Sequence, residues 1–385
     1  MMKRIKRFFR KYLPSSISGK VSVVLLLAWV FVAILSPFIA NNKPIIAKNS
    51  EGWSMPVWSK SDVIETHNYT FSIDPLIPYR FNDLDLGNSL QPPLSDGKNG
   101  IHLLGTDKLG RDIAAGMING ARVAFVVVFF VISFSAVFGI FVGMMIGYYG
   151  DSGIRKNIFQ QLLIALLFIY LIYFSSHLLS DGLSISTLLP ILILFGIGYF
   201  GNRLLARLSI KRYGLPIDII VQRLFEINES LPGLFIILAF IAIITNSTLL
   251  SISLIMTFLL WMTFARHARA EALQIKEEAY IASARASGMT DMMLMVRHIL
   301  PNALPSLLVV TAFACSGVIL LESTLSFLGI GLPLEEISWG KILSEARKTP
   351  KAWWLAVFPG MAIFVILYSF NTLGDIMATY QRNQN

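Results

Sequence analysis

Side chains able to do chemistry are few in this 385-residue chain and poorly grouped for it. The five histidines, His67, His102, His177, His267 and His298, show no metal-ligand spacing. Cys315, the single cysteine, lies inside an apolar run and has no intramolecular partner. No G-x-x-x-x-G-K-[ST] phosphate cradle, no G-x-S-x-G elbow and no H-E-x-x-H pair occurs. The reading is therefore of a chain without catalytic residues, metal or cofactor of its own. Glu322 stands apart, an acid well inside the apolar run GVILLESTLSFLGIGLP. A charge at mid-bilayer costs roughly 2.5 to 3.5 kcal/mol on insertion scales. Counting 1.5 Å per residue from Gly329, Glu322 would sit about 10 Å below the surface. Two readings stay open for it: a position on a translocation path or subunit interface, or a protonated acid bonded to a neighbouring helix.

The elements that must position any function are long apolar spans. Hydrophobic residues make up 55% of the chain, charged residues 14%, and the mean hydropathy is +0.65, which marks an integral membrane protein. Eight apolar segments approach spanning length, at about 21–40, 122–147, 158–180, 186–206, 225–245, 248–266, 305–329 and 353–374. The N-terminus, MMKRIKRFFRKY, precedes a span too long for a signal peptide and without a small-residue cleavage site, so it reads as a retained first helix. The net charge of +9 is not gathered on a polar domain, which argues against nucleic acid. If the basic N-terminus is cytoplasmic, alternation leaves 20 of the 32 Lys and Arg on that side, as the positive-inside bias requires.

One polar, helix-forming stretch interrupts the spans: EALQIKEEAYIASARASGMTDMMLMVRHILPN, residues 271–302. Before Gly288, Ala279, Ala282, Ser283 and Ala286 form a small-residue stripe at i, i+3, i+4 and i+7, which lets another backbone come close. After it, Thr290 suits an N-cap, Asp291 suits the positive helix end, and Met292, Met295, Val296 and Ile299 repeat the spacing. Pro301 is expected to end or kink this second helix. The expectation is two short amphipathic helices at an angle.

The run Glu278, Tyr280, Ile281, Ala284, Arg285, Ala286 and Gly288, followed by Pro301-Asn302, resembles the cytoplasmic "EAA" loop of ABC-importer permeases, in particular the peptide branch. Ala282 departs from the general pattern, where a glutamate is common. The resemblance implies coupling helices seated in a cleft of a separate ATPase subunit, with Glu278, Tyr280, Ala282, Ala284, Arg285, Ala286, Gly288, Met292, Met295, Val296, Arg297, His298 and Pro301 as the coupling residues. A second motif supports it. His102-Leu103-Leu104-Gly105-Thr106-Asp107-Lys108-Leu109-Gly110-Arg111-Asp112 resembles the family's H-x-L-G-T-D-x-x-G-R-D run, with Gly105, Thr106, Asp107, Gly110, Arg111 and Asp112 as its periplasmic motif residues. Two glycine turns feeding a capped helix account for the same residues physically.

The resemblance implies an all-α type I ABC-importer transmembrane fold of about eight helices: a six-helix core plus an inserted hairpin at about 155–213. Gly147-Tyr148-Tyr149-Gly150-Asp151 and then Asp218, Gln222-Arg223, Glu226 and Leu231-Pro232 match the family on either side of that insertion, and an even number of inserted helices preserves sidedness downstream. The organisation reads as a basic cytoplasmic N-terminus (1–20), a first helix (21–40), an extracytoplasmic loop region (41–121), a permease domain (122–375) with its coupling loop at 267–304, and a cytoplasmic tail (376–385). The implied protein is a second-permease (C-type) subunit of a peptide importer in a bacterial cytoplasmic membrane. Ile39-Ala40-Asn41-Asn42-Lys43-Pro44 looks like the longer-peptide or microcin-importing members. Implied partners are a homologous permease, two ABC ATPase subunits that bind ATP and Mg, an extracytoplasmic peptide-binding protein and lipid. The alternatives are a permease for another family substrate such as nickel chelates, or a secondary transporter. A secondary transporter would carry more intramembrane charges and internal repeats than this chain shows.

Overall fold

The computed structural model describes residues 16–49, 52–58, 70–152, 155–157, 203, 212–214, 216–243, 248–330 and 336–382. Among them, five helices are long and apolar enough to span a bilayer: α1 (Ile17–Ile39), α2 (Ile113–Tyr149), α5 (Leu249–Ile275), α7 (Asp291–Phe327) and α9 (Trp354–Arg382). A sixth span is possible only as a bent pair, α3 (Ile217–Ser230) and α4 (Gly233–Ile243), which meet at 87° across Leu231-Pro232. Pro232 lacks an N–H and keeps Leu231 extended, which explains the break. The expected spans at 158–180 and 186–206 lie outside the described residues. The segment expected as one straight span at 225–245 is this elbow instead.

Caps fix where the helices begin. Ser16 accepts from the Gly19 N–H, Asp112 from Ala115, and Thr248 forms a reciprocal capping box with Ser251. The cap at Asp112 starts α2 nine residues before the expected 122, so the loop region is shorter than 41–121. At 37 residues, α2 is about 55 Å long and projects beyond the apolar layer. Helix α5 likewise runs on through polar residues to Ile275, so the loop expected at 267–304 narrows to the residues between Ile275 and Asp291.

Helices α2 and α5 run parallel in close contact. Gly139, Gly143 and Gly147 recur every four residues on α2, and a Cβ at each would run into the carbonyl oxygen of Trp261, Ala265 and Arg269, also four apart on α5. Small residues permit this approach, and the van der Waals contact it gives is a main source of helix association in lipid. Around the pair pack α1, α7 and α9, with Trp29, Val127, Val131, Phe264, Ile319 and Ile366 in one buried cluster. A short helix, α8 (Trp339–Ala346), wedges onto α2 and α7: the Trp339 Nε1–H donates to Met117 O at 2.9 Å, and a Cβ at Gly340 would strike the backbone of Ser323.

Two small sheets lie at the end of the bundle where α2 begins: β1 (Ile46–Asn49), β2 (Gly52–Ser54) and β3 (Phe71–Ile73) in the order β2-β1-β3, and β4 (Ser95–Asp96) with β5 (Ile101–His102). At the other end, β6 (Arg155–Asn157) pairs antiparallel with β7 (Arg212–Gly214). The chain that leaves at Asn157 therefore returns beside itself at Arg212.

Gly143→Leu is expected to force α2 and α5 apart at a cost of about 1–3 kcal/mol, whereas Gly317→Ala, at an open site, is expected to be neutral. Thermal unfolding of the two purified variants in detergent checks this, and equal midpoints would contradict the packing.

Candidate functional site

The polar stretch folds at the end of the bundle where α2 and α5 finish. Helix α6 (Ala279–Ala286) follows a short turn after α5, and Gly288 then takes φ +85° with open space around it, a conformation that favours glycine. Beyond Gly288, the structure differs from the expected second short helix. Asp291 to Phe327 is one continuous helix, with a π turn at Met295–Ile299 closed by the Leu300 N–H donating to Met295 O. Pro301 does not end it. It sits just past the π turn, early in the regular α segment, where the wider turn absorbs its missing N–H. Thr290 is extended at the N-cap but makes no side-chain cap bond.

Three polar side chains brace this corner. Tyr148, near the end of α2, donates its hydroxyl to Asp291 Oδ1 at 2.5 Å and accepts from Arg285 Nη2 at 2.9 Å. The Arg285 guanidinium also lies 5.5 Å from the centre of the Tyr148 ring. Lys276 Nζ donates to Gly147 O at 3.0 Å, and Asn302 Nδ2 donates to both Tyr280 Oη and His298 O at 2.8 Å. Ile281, Leu294, Met295, Ile299 and Ala303 then bury against Met144, Tyr148 and Ala272. Behind the corner, Arg269 grips Asp218 through Nε and Nη2 at 2.5 and 2.7 Å, and the Asp218 N–H donates to Asp151 Oδ1 at 2.9 Å. Arg266 pairs with Glu229.

The corner divides the expected coupling residues. Ala279, Ala282, Ser283 and Ala286 all face outward, together with Glu278, Arg297 and Pro301; Tyr280 is partly exposed, and Ala284 and His298 are half-buried. Met292 and Val296 are also exposed, Val296 at 58%. Met295 is a correction: it is 3% exposed and packs inside the subunit, so it cannot share an outward face with Met292 and Val296. Arg285 bonds Tyr148 through Nη2 while remaining exposed.

Residues 204–383 match the family described as binding-protein-dependent transport system inner membrane component. A Brucella suis protein named for a peptide transport system permease is 26% identical over 359 residues, 93% of this chain and 85% of that one. The dipeptide transport system permease protein DppC of Alkalihalophilus pseudofirmus is 27% identical over 292 residues, 75% of this chain and 72% of its own. The oligopeptide transport system permease protein OppC of Salmonella typhimurium is 34% identical over 160 residues, 41% and 53% of the two chains. Over these stretches the chain is similar to permease subunits of peptide transport systems. It is a multi-pass inner-membrane protein. The family match starts at 204, inside the range read as inserted.

At the opposite end of the bundle the H-x-L-G-T-D-x-x-G-R-D run is a largely buried scaffold. Asp107 Oδ1 accepts from the Leu109 and Arg111 N–H groups at 2.8 Å, while Arg111 bonds Asp107 through Nε at 2.5 Å and Glu345 of α8 through Nη2 at 2.8 Å. Thr106 Oγ1 donates to Asn88 O, and Thr106 O accepts from Trp354 Nε1. Gly105 and Gly110 have φ of +82° and +72°, and a Cβ at Gly110 would collide with Asp85 O. Asp112 joins the cap of α2 to buried His102, with Nδ1 at 2.8 Å from Oδ2. Burial pushes the Asp112 carboxyl above the usual Asp value against the opposing bonds from the Ala115 N–H and His102. It pushes Glu345 up as well, aided by the nearby Asp107 charge and opposed by Arg111.

Glu322 is 2% exposed, so the structure encloses it within the subunit rather than on an open path or interface. Its carboxylate accepts from Ser326 at 2.8 Å and Ser323 at 3.3 Å, with Ser338 at the start of α8 also bonded to it. Sequence reasoning missed Tyr148, Asp218 and Arg269 as braces. The spacing G-x-x-x-G-x-x-x-G at 139–147 was the available signal that α2 has a close partner.

Tyr148→Phe removes the bonds to Asp291 and Arg285, both of which water can then solvate, and is expected to cost about 0.5–1.5 kcal/mol, seen as faster proteolysis between residues 276 and 290 with the membrane core intact. For the opposite end, Glu345 and Asp112 hold protons to higher pH folded than unfolded. Stability on their account is greatest below the ordinary values of 4.5 and 3.8 and falls as pH rises through the raised ones. Glu345→Gln is expected to flatten that fall in a melting-temperature profile measured upward from pH 4.5, and an unchanged slope would contradict it.

Proposed function

We propose that this permease is the transmembrane subunit of an ATP-driven importer of peptides, oligopeptides most of all, and that the corner at residues 271–302 couples it to separate ATPase subunits. The observation that carries the reading is the division of that corner. One side is locked to α2 by Tyr148, Arg285 and Asp291, while a small-residue stripe and the Met292 and Val296 side chains are left open to a partner. A braced surface transmits displacement; a loose one would absorb it. In this reading the N-terminus and the corner are cytoplasmic, the ATPase subunits bind ATP and Mg, a homologous permease completes a heterodimer, and an extracytoplasmic binding protein delivers the peptide. The names of the relatives, which span peptide, dipeptide and oligopeptide systems, support the substrate class.

The outward residues, not Met295, are the ones to change. Ala282→Arg and Val296→Glu are expected to leave membrane insertion and melting temperature near wild type, while ATPase subunits are lost on affinity purification and peptide-stimulated ATP hydrolysis falls at least tenfold, about 1.4 kcal/mol of lost contact. Gly288→Val, forced to positive φ, is expected to cost about 1–2 kcal/mol and to weaken the same association. Wild-type ATPase stoichiometry with normal stimulation in all three variants would overturn the assignment. Uptake of labelled peptides of graded length, with and without the gene, tests the substrate.

A further inference from the structure

The sheet β2-β1-β3 carries its aromatic side chains on an exposed face. Directly opposed residues share a face, and the register places Trp53, Lys48 and Phe71 in one row and Ser54, Ala47 and Ser72 in the next. At the centre of the second row Ala47 is fully buried against the chain, while Ser54 and Ser72 at its edges are exposed. The aromatic row, continued by Ile73, faces out: Trp53 is 66% exposed and Phe71 49%. The two rings meet edge-on at 6.1 Å, and Lys48 Nζ lies 5.5 Å over the Trp53 ring.

The sheet hangs directly from the end of a membrane span. The Ile77 N–H donates to Ile39 O, the last residue of α1, and the Asn41 N–H donates back to Ile77 O. Only four residues separate Ile73 from Ile77, at most about 14 Å of chain. The polar zone of each leaflet is about 5–8 Å deep. The sheet is therefore within reach of the bilayer surface at this end of the bundle. Its composition decides between lipid and protein as the occupant. Tryptophan with a flanking lysine is the membrane-interface combination, the ring at headgroup level and the ammonium reaching a phosphate. A lysine at the centre of a protein–protein patch is disfavoured.

We propose that the Trp53–Lys48–Phe71 face rests on the lipid headgroup layer, as a surface anchor that holds the 41–112 region against the bilayer beside α1. The test uses the full-length permease in phosphatidylethanolamine–phosphatidylglycerol nanodiscs. Trp53→Phe gives, by difference from the wild type, the emission of Trp53 alone among the seven tryptophans. That emission is expected to be quenched by lipids brominated near the glycerol end of the acyl chain and shielded from aqueous acrylamide. Phe71→Ser with Ile73→Ser should abolish the lipid quenching while the melting temperature stays at the wild-type value. Free quenching by acrylamide with none by bromolipid would overturn the proposal. So would shielding from both quenchers, which would mean that another part of the chain covers the face, or lipid quenching that disappears when partner subunits are added, which would assign the face to protein.

Discussion

The close approach of α2 and α5 is the constraint on which the rest depends. Three glycines in register with three carbonyls let two long helices lie nearly backbone to backbone, and no side chain can be added there without separating them. Because both helices finish at the same end of the bundle, their contact continues into the polar corner. Gly147, the last of the three glycines, is also the residue whose carbonyl Lys276 grips. Packing in the membrane and bracing outside it are thus one continuous interface.

That continuity gives the corner its mechanical character. Tyr148 follows Gly147 directly, and its single hydroxyl ties the helix after α5 to the start of α7. A push on α6 is delivered to α2 through Arg285 and to α7 through Asp291. Asp218, held by Arg269 and capped against Asp151, brings the elbow of α3 and α4 into the same frame. At the far end, Arg111 and Asp107 do the equivalent job between the loop region and α8.

Much of this was legible in the chain itself. The apolar runs gave the membrane class, and the motifs at 102–112 and 278–302 gave the resemblance to peptide permeases, because each demands particular residue types at fixed offsets. The break expected at Gly288 is observed, with a positive φ. What was not legible depended on contacts distant in sequence. Periodicity put Met295 and Val296 on one stripe, but a π turn rotates the helix there, and the burial of Met295 against α2 and α5 is a tertiary outcome. Pro301 read as a stop because a regular α-helix would break at it. The two readings of Glu322 stayed open because only its apolar neighbours were weighed; Ser326, one turn on, was the local sign of an enclosed hydrogen-bonded site.

The π turn carries a last consequence, one of phase. A π turn accommodates about one residue more than an α turn, so everything on α7 before Met295 is rotated by about 100° relative to where an unbroken helix would place it. The angular relation between the outward Met292–Val296 pair and the membrane-buried face of the same helix is therefore set by a single extra residue. A one-residue deletion within 297–299 would convert the segment to plain α-helix and swing Met292 round the axis relative to the membrane-buried face. Such a one-residue step is a compact way to re-aim an outward surface while leaving the transmembrane packing untouched.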